Sequence, residues 1–259
     1  MQRIAITNSM IRAALAADYQ AERAKGSLCY PYYAQPKIDG VRVLVSLSEG
    51  EVVLYSRNGN RFSMPHLSAA LTPYLMASPS LILDGELYSP DLSFTALCSA
   101  IRSSEHQDKG KVSLYLFDCY NPDKPRQSYK ERYKAAQILA SVPFVVVVET
   151  ITVKSHKAVE RALEGFIEAG YEGVMIKSIS STYKQGRSSA MMKYKKFVDS
   201  EFEVVATDAT TITCYTPEGV AFSVLGSASI GEIVTIRYQE ITANGSLRFP
   251  RMIGRRDYE

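Results

Sequence analysis

Lys37-Ile38-Asp39-Gly40-Val41-Arg42 is the segment on which the reading of this chain turns. It follows Tyr32-Tyr33-Ala34-Gln35-Pro36 and runs directly into a β-branched stretch from Val41 to Leu47. A lysine, an acid, a glycine and an arginine so close together place a nucleophile, a metal ligand and a phosphate or ribose donor on one tight turn. A second reading stays open at this point. Asp-Gly is a favoured hairpin turn, and most lysines are solvated surface residues.

The 259 residues suit one large domain, or a large and a small one, with a real core. With 46% hydrophobic and 22% charged residues the composition is that of an ordinary globular chain, and no segment has the apolar length to cross a bilayer. Arg3, Arg12 and Asp18 interrupt the N-terminal region, which argues against a secretory signal. The net charge of +3 is small but unevenly spread. Between Gly173 and Val198 there is no acid, yet Lys177, Lys184, Arg187, Lys193, Lys195 and Lys196 fall there, and Arg237, Arg248, Arg251, Arg255 and Arg256 crowd the end of the chain. Such stretches fit a phosphate-binding face or a solvated charge run. Cys29, Cys98, Cys119 and Cys214 lack C-x-x-C spacing, so neither a zinc ribbon nor a disulfide framework is expected, but reduced thiols in the cytoplasm.

Helical periodicity and Gly26 predict a helix over residues 9–25, capped by Ser9. Strands are expected at 41–47, 52–56, 81–88, 112–120, 144–149, 173–177 and 191–195, and helices at 64–76, 94–102, 129–140 and 157–169. The mixture has no strict βαβ rhythm, which favours an α+β fold with mixed or antiparallel sheets. After about Asp199 five short strands are expected, at 203–207, 211–215, 221–224, 232–238 and near 247–249. That is the size of a small all-β barrel of the oligonucleotide-binding (OB) type. The expected domains are residues 1–199 and 200–259.

With the later segments in view, the chain resembles the covalent nucleotidyltransferases, and most closely the small ATP-dependent DNA ligases. Lys37–Arg42 is similar to that family's nucleophile motif. Ser56-Arg57-Asn58-Gly59-Asn60, Leu83-Asp84-Gly85-Glu86-Leu87 and Leu116-Phe117-Asp118 resemble the motifs that follow. Glu172-Gly173-Val174-Met175-Ile176-Lys177 and Met192-Lys193-Tyr194-Lys195 resemble the last two of the catalytic domain, and Arg248-Phe249-Pro250-Arg251 with Arg256-Asp257 the motif closing the barrel domain. The likeness runs from about residue 30 to the end.

The resemblance implies a nucleotidyltransferase domain followed by an OB-fold barrel, acting as a monomer on nicked duplex DNA, with ATP as co-substrate and Mg²⁺ or Mn²⁺ as the metal. The cytoplasm, or a host cell's if the source is viral, is the expected location, with no membrane partner. Lys37 would be the catalytic nucleophile, holding AMP as a phosphoramidate and so splitting a difficult step into easier ones. A free lysine has a pKa near 10.4, so deprotonating it at neutral pH costs roughly 4–5 kcal/mol. Lys177, Lys193 and Lys195 are the implied cations around the α-phosphate; Lys193 and Lys195 would share a strand face with Met191. Gln35 and Ile38 would lie at the nucleotide, Arg42 and Glu86 at the ribose, and the Phe117 ring against adenine. Asp39 and Glu172 are the implied metal ligands. Arg57, Arg187, Arg251 and Arg256 would contact DNA, Arg57 at the nick's 5′-phosphate. His66, His106 and His156 are given no role.

Two departures from the family pattern matter. Gln35 stands where many relatives carry an acid. Gly254 replaces a basic residue, and the chain ends Asp257-Tyr258-Glu259. Self-adenylation would then lean on Arg251, Arg255 and Arg256. With 36 residues before Lys37 and no cysteine cluster, an NAD-dependent ligase is disfavoured, and a minimal ligase core is expected. An RNA ligase, an mRNA-capping guanylyltransferase and a non-catalytic nucleic-acid-binding relative are the alternatives.

Overall fold

The computed structural model describes residues 12–242 and 244–255, in two units, Met1–Tyr194 and Lys195–Glu259. In chain order the first carries β1 (Ala14–Asp18), α1 (Tyr19–Ala24), β2 (Tyr32–Pro36), β3 (Val41–Ser48), β4 (Glu51–Ser56), β5 (Arg61–Phe62), α2 (Pro65–Ala77) and β6 (Ile82–Tyr88). There follow α3 (Phe94–Arg102), β7 (Ser113–Tyr120), α4 (Tyr129–Gln137), β8 (Val145–Val147), β9 (Ile151–Val153), α5 (His156–Glu168), β10 (Val174–Ser178) and β11 (Gly186–Tyr194). The second unit contributes β12 (Val198–Thr207), β13 (Thr211–Tyr215), β14 (Ala221–Leu225), β15 (Ile233–Tyr238) and β16 (Arg251–Arg255). The fold is mixed α+β and mostly sheet.

Two sheets build the first unit. One runs β5-β4-β3-β6-β7-β8, and Val43, Val45, Leu83, Leu87 and Leu114 on it meet Leu67, Leu71 and Leu75 of α2 and Leu97 and Ile101 of α3 in one core. The leucines of α2 recur every fourth residue and are completely buried, so each contributes about 2–5 kcal/mol relative to alanine. The other sheet runs β1-β11-β10-β2-β9. Strand alternation divides it: Ala34, Val174, Ile176 and Met192 face a second core with Val159 and Leu163 of α5, which leaves Gln35, Met175, Lys177, Met191 and Lys193 for the opposite face. The register sets them in rows, Gln35 opposite Met175 opposite Lys193, and Tyr33 opposite Lys177 opposite Met191.

Lys37 to Gly40 is the crossing between these sheets, since β2 lies in one and β3 in the other. The Asp39-Gly40 pair therefore makes no hairpin. Gly40 is required by space: a Cβ there would come within 2.3 Å of the Leu87 carbonyl oxygen. The Ser56–Asn60 segment, by contrast, is a tight turn between β4 and β5, with Ser56 N donating to Asn60 O at 2.8 Å and Gly59 at φ +84°.

The structure corrects three expectations. The helix expected over 9–25 is strand β1 followed by the six-residue helix α1. Parallel pairing with β11 claims Ala14 to Asp18, the Asp18 side chain caps α1, and Gly26 at φ +68° ends it; residues 9–11 lie outside the described residues. The last strand is Arg251–Arg255, not the 247–249 region, where Leu247 makes an isolated bridge to Ile241 and Phe249 has φ +53°. β11 ends at Tyr194, so Lys195 does not share a strand face with Lys193.

The second unit is a single antiparallel sheet of order β14-β13-β12-β15-β16 around a core of Phe202, Val204, Ile212, Val224, Val234 and Ile236. Its outer strands meet. Arg255 at the end of β16 donates through Nε to the Ser227 carbonyl at 2.9 Å, and a Cβ on Gly226 would lie 2.5 Å from Met252 Sδ. No helix among the described residues is long and apolar enough to cross a membrane.

Candidate active site

A cleft of about 220 Å³ opens in the first unit, and ten of the residues singled out from the sequence line it: Gln35, Lys37, Ile38, Arg42, Arg57, Glu86, Phe117, Lys177, Arg187 and Lys193. Strand β1, misread as helix, lines it too through Ala14 to Ala16. Asp39, Glu172, Lys195 and Arg251 are not among the lining residues. Lys195 is held in the second unit, its Nζ donating to Gln239 Oε1 at 3.2 Å and standing 5.1 Å from the Phe249 ring centroid. Arg251 is exposed on β16. Arg256 lies outside the described residues.

Lys37 is clasped twice by the segment preceding β10. Its backbone N–H donates to Gly173 O at 2.9 Å, and its carbonyl accepts from Glu172 N at 3.1 Å. Its ammonium donates to the Glu172 carboxylate, whose side chain is only 4% exposed. Glu172 thus touches the Lys37 ammonium itself, a contact between residues 135 positions apart that spacing does not reveal.

Lys177 is 3% exposed, donates to the Phe117 carbonyl at 3.0 Å, and stands 4.5 Å and 4.6 Å from the centroids of Phe117 and Tyr129. An ammonium has three protons to place, so this one has capacity left for an anion in the cleft. Burial pulls its pKa down to about 8, against the pull of Asp118 and Asp84. Arg42 lies 4.6 Å from the same Phe117 ring and is gripped by Asp84, with Nε to Oδ1 and Nη2 to Oδ2 both at 2.6 Å. Asp84 is 1% exposed. Asp84 lies within the Leu83–Leu87 motif, where its sequence position alone gives it no role.

Glu86, opposite Arg42 in the β3–β6 register, carries a carboxyl pushed up to about 7. Burial is the main cause, with Arg42 and Lys37 opposing it and Asp84 and Glu172 adding to it. A raised acid stabilises the fold fully only below its unfolded pKa near 4.5, and that contribution is lost as pH rises through about 7. Glu86→Gln, neutral throughout, is therefore expected to gain stability over wild type between those limits and to hold a constant advantage of about 3 kcal/mol above them. Denaturant unfolding of both proteins at pH 5 and pH 8 checks this; equal differences at the two pH values would refute it.

Gln35 is 1% exposed, and its amide Nε2 donates to Thr150 Oγ1 at 2.8 Å and points to Val148 O at 3.5 Å. The Thr150 hydroxyl itself donates to Val148 O at 3.4 Å, so its lone pair is what receives Nε2, and this fixes the amide orientation. Oε1 is left as the one buried side-chain polar atom without a partner among the described residues. An orphaned acceptor in a cleft wall is a seat for a donor on a ligand.

The carboxylates can be weighed for a divalent cation. Among the described residues no three His, Cys, Asp or Glu converge. One or two carboxylates nonetheless suit Mg²⁺, which commonly takes its remaining ligands from water and substrate phosphate. Glu172, bonded to the Lys37 ammonium, fits that description, and Asp39 sits two residues beyond Lys37; neither carboxylate is among the residues lining the cleft.

The model for the ATP-dependent DNA ligase domain matches residues 17–195. A DNA ligase of African swine fever virus (isolate Tick/South Africa/Pretoriuskop Pr4/1996) is 28% identical over 185 residues, which span 66% of this chain and 43% of the viral one. The chain thus spans less than half the length of the viral relatives it matches. A DNA ligase of Haemophilus influenzae is 26% identical over 234 residues, 82% of each chain. A solved structure from a study of Lig E DNA ligases and DNA binding with a minimal scaffold superposes with a TM-score of 0.78 at 26% identity, covering 95% of this chain and 99% of that one. With more than half its length matched by the family model and the cleft built from that family's motifs, the chain belongs to the ATP-dependent DNA ligase domain family.

Proposed function

We propose that this protein seals nicks in duplex DNA with ATP, through a lysyl-AMP intermediate on Lys37. The observation that carries the proposal is the convergence of one nucleophilic lysine, two further lysines and an unpartnered acceptor on a single cleft. The Lys37 amine attacks the α-phosphorus, an N–P bond forms, and pyrophosphate leaves. The 5′-phosphate of a nick then takes the AMP, and the neighbouring 3′-hydroxyl displaces AMP to close the phosphodiester. Lys177 and Lys193 hold the α-phosphate oxygens as charge builds on them. Glu172 keeps Lys37 in place and takes its proton or passes it on. Glu86 accepts from a ribose hydroxyl. Mg²⁺, when bound at Glu172 with or without Asp39, neutralises phosphate charge.

We assign adenine to Gln35. The exocyclic amine of adenine donates to the free Oε1, whereas guanine presents a carbonyl there. Gln35→Ala is expected to narrow the preference for ATP over GTP by roughly tenfold or more, the worth of one buried hydrogen bond. Adenylation rates measured with both nucleotides decide it, and an unchanged preference would remove Gln35 from base reading.

We read the second unit as an OB-fold: five short antiparallel strands whose outer members meet suit a small closed barrel. Arg57 on the β4–β5 turn is assigned to the 5′-phosphate, and Arg187 and Arg251 to DNA phosphates. Binding should therefore weaken steeply with salt. The test supplies Mg²⁺ with α-labelled ATP, α-labelled GTP or labelled NAD, then nicked DNA or nicked RNA. Label from ATP alone, discharged by nicked DNA with sealing, is the expected result. Label from GTP, or sealing confined to RNA, would replace the substrate assignment.

A further inference from the structure

Tyr183 lies in the connection between β10 and β11, in a stretch rich in serine and threonine, and is not among the residues lining the cleft. It is nevertheless 9% exposed, and its hydroxyl occupies a closed ring of hydrogen bonds. Ala14 N donates to Tyr183 Oη at 3.2 Å. Tyr183 Oη donates to Asp84 Oδ2 at 2.6 Å, and the same oxygen accepts from Arg42 Nη2 at 2.6 Å. Arg42 Nη2 closes the ring by donating to Ala14 O at 3.3 Å. Two members, Ala14 and Tyr183, belong to the β1-β11-β10-β2-β9 sheet and its connection. The other two, Arg42 and Asp84, belong to β3 and β6 of the six-stranded sheet. The ring ties the two walls of the cleft together.

Its effect on Arg42 is specific. Nε and Nη2 are committed to Asp84 and Ala14, and these bonds leave Nη1 for the cleft that Arg42 lines. Asp84 can hold the guanidinium at that angle only while its own carboxylate is fixed. Tyr183 fixes it by donating to Oδ2, the oxygen that Arg42 Nη2 also holds, and Tyr183 is itself braced by the stacked Tyr120 ring at 5.0 Å and by the Arg132 guanidinium 5.5 Å from its centroid.

We infer that Tyr183 is a positioning residue for the nucleotide: through Asp84 it aims Arg42 into the cleft and so sets how tightly, and with what ribose selectivity, ATP is held. The inference rests on the reading of the cleft as an ATP site. The hydroxyl is the working part, because the ring's stacking on Tyr120 survives in phenylalanine.

Steady-state sealing by the full chain at saturating nicked DNA, which takes the AMP and frees Lys37 for the next turnover, tests this with ATP and with 2′-deoxyATP in wild type, Tyr183→Phe and Asp84→Asn, with thermal unfolding of each. For Tyr183→Phe we expect the KM for ATP to rise roughly ten- to a hundredfold, as for loss of a hydrogen bond to a charged group, with kcat within about twofold. The preference for ATP over 2′-deoxyATP should narrow in step, and Asp84→Asn should move both quantities in the same direction. A Tyr183→Phe protein with wild-type KM and ribose preference overturns the inference. So does one whose kcat and unfolding temperature fall together while the ribose preference stays. Absence of label in wild type strikes the ATP reading itself, and is told apart by appearing without any substitution.

Discussion

Lys37→Ala is expected to take no label from α-labelled ATP, a loss on the order of 10⁴- to 10⁶-fold, the scale on which removal of a covalent nucleophile is felt. The size follows from the surroundings. Lys177 is turned to the Phe117 carbonyl and two aromatic rings, so it is not placed to substitute. Lys37→Arg keeps a cation for Glu172 but offers no amine of comparable nucleophilicity, so it should fail as completely while unfolding near the wild-type temperature. Both variants should keep salt-sensitive DNA binding, since the phosphate contacts assigned here lie elsewhere. They should also seal DNA that already carries AMP on its 5′-phosphate, because that last step asks nothing of the amine. A labelled Lys37→Ala protein would move the nucleophile to another residue.

The part of this site written in one short segment was legible before any coordinates. Lys37 and Arg42 are separated by the width of one crossing between sheets, and Glu86, Lys177 and Lys193 announce themselves as charges set into apolar strands. What the sequence could not show is which charges answer which. Asp84 and Arg42 are far apart in the chain and meet only because β3 and β6 pair in register. Tyr183 had no local signal at all, since its function depends on a fold-wide return to Asp84. The mistaken helix over 9–25 has the same origin. Ala14 to Asp18 is strand because β11 lies alongside it, and tertiary pairing overrides a helical pattern as short as this. Spacing puts Lys195 on one strand face with Lys193, but β11 ends at Tyr194 and that shared face is lost.

The same logic applies to the buried Asp118–Arg132 pair. Arg132 on α4 donates Nε and Nη2 to the two oxygens of Asp118 on β7, at 2.8 and 3.1 Å, with side chains 4% and 8% exposed. Its Nη1 reaches Gln127 O and Ser181 O, at 2.9 and 3.0 Å. Arg132→Met leaves Asp118 buried, unpaired and directly opposite Asp84 in the β6–β7 register. Stripping one partner from such a pair costs about 3–5 kcal/mol, and at about 2–4 °C per kcal/mol for a unit of this size the unfolding temperature should drop by roughly 6–20 °C. Adding Asp118→Leu removes the orphaned charge and should recover most of that loss. Activity should not recover with it. Asp118 is the foremost charge holding up the Lys177 pKa, ahead of the opposing effect of Arg132, so the double variant leaves that ammonium less able to keep its proton at neutral pH. A refolded, thermally restored double variant that still adenylates poorly, and regains rate as pH is lowered, separates the structural work of the pair from its electrostatic work. Equal recovery of stability and rate would show that stability was all the pair supplied.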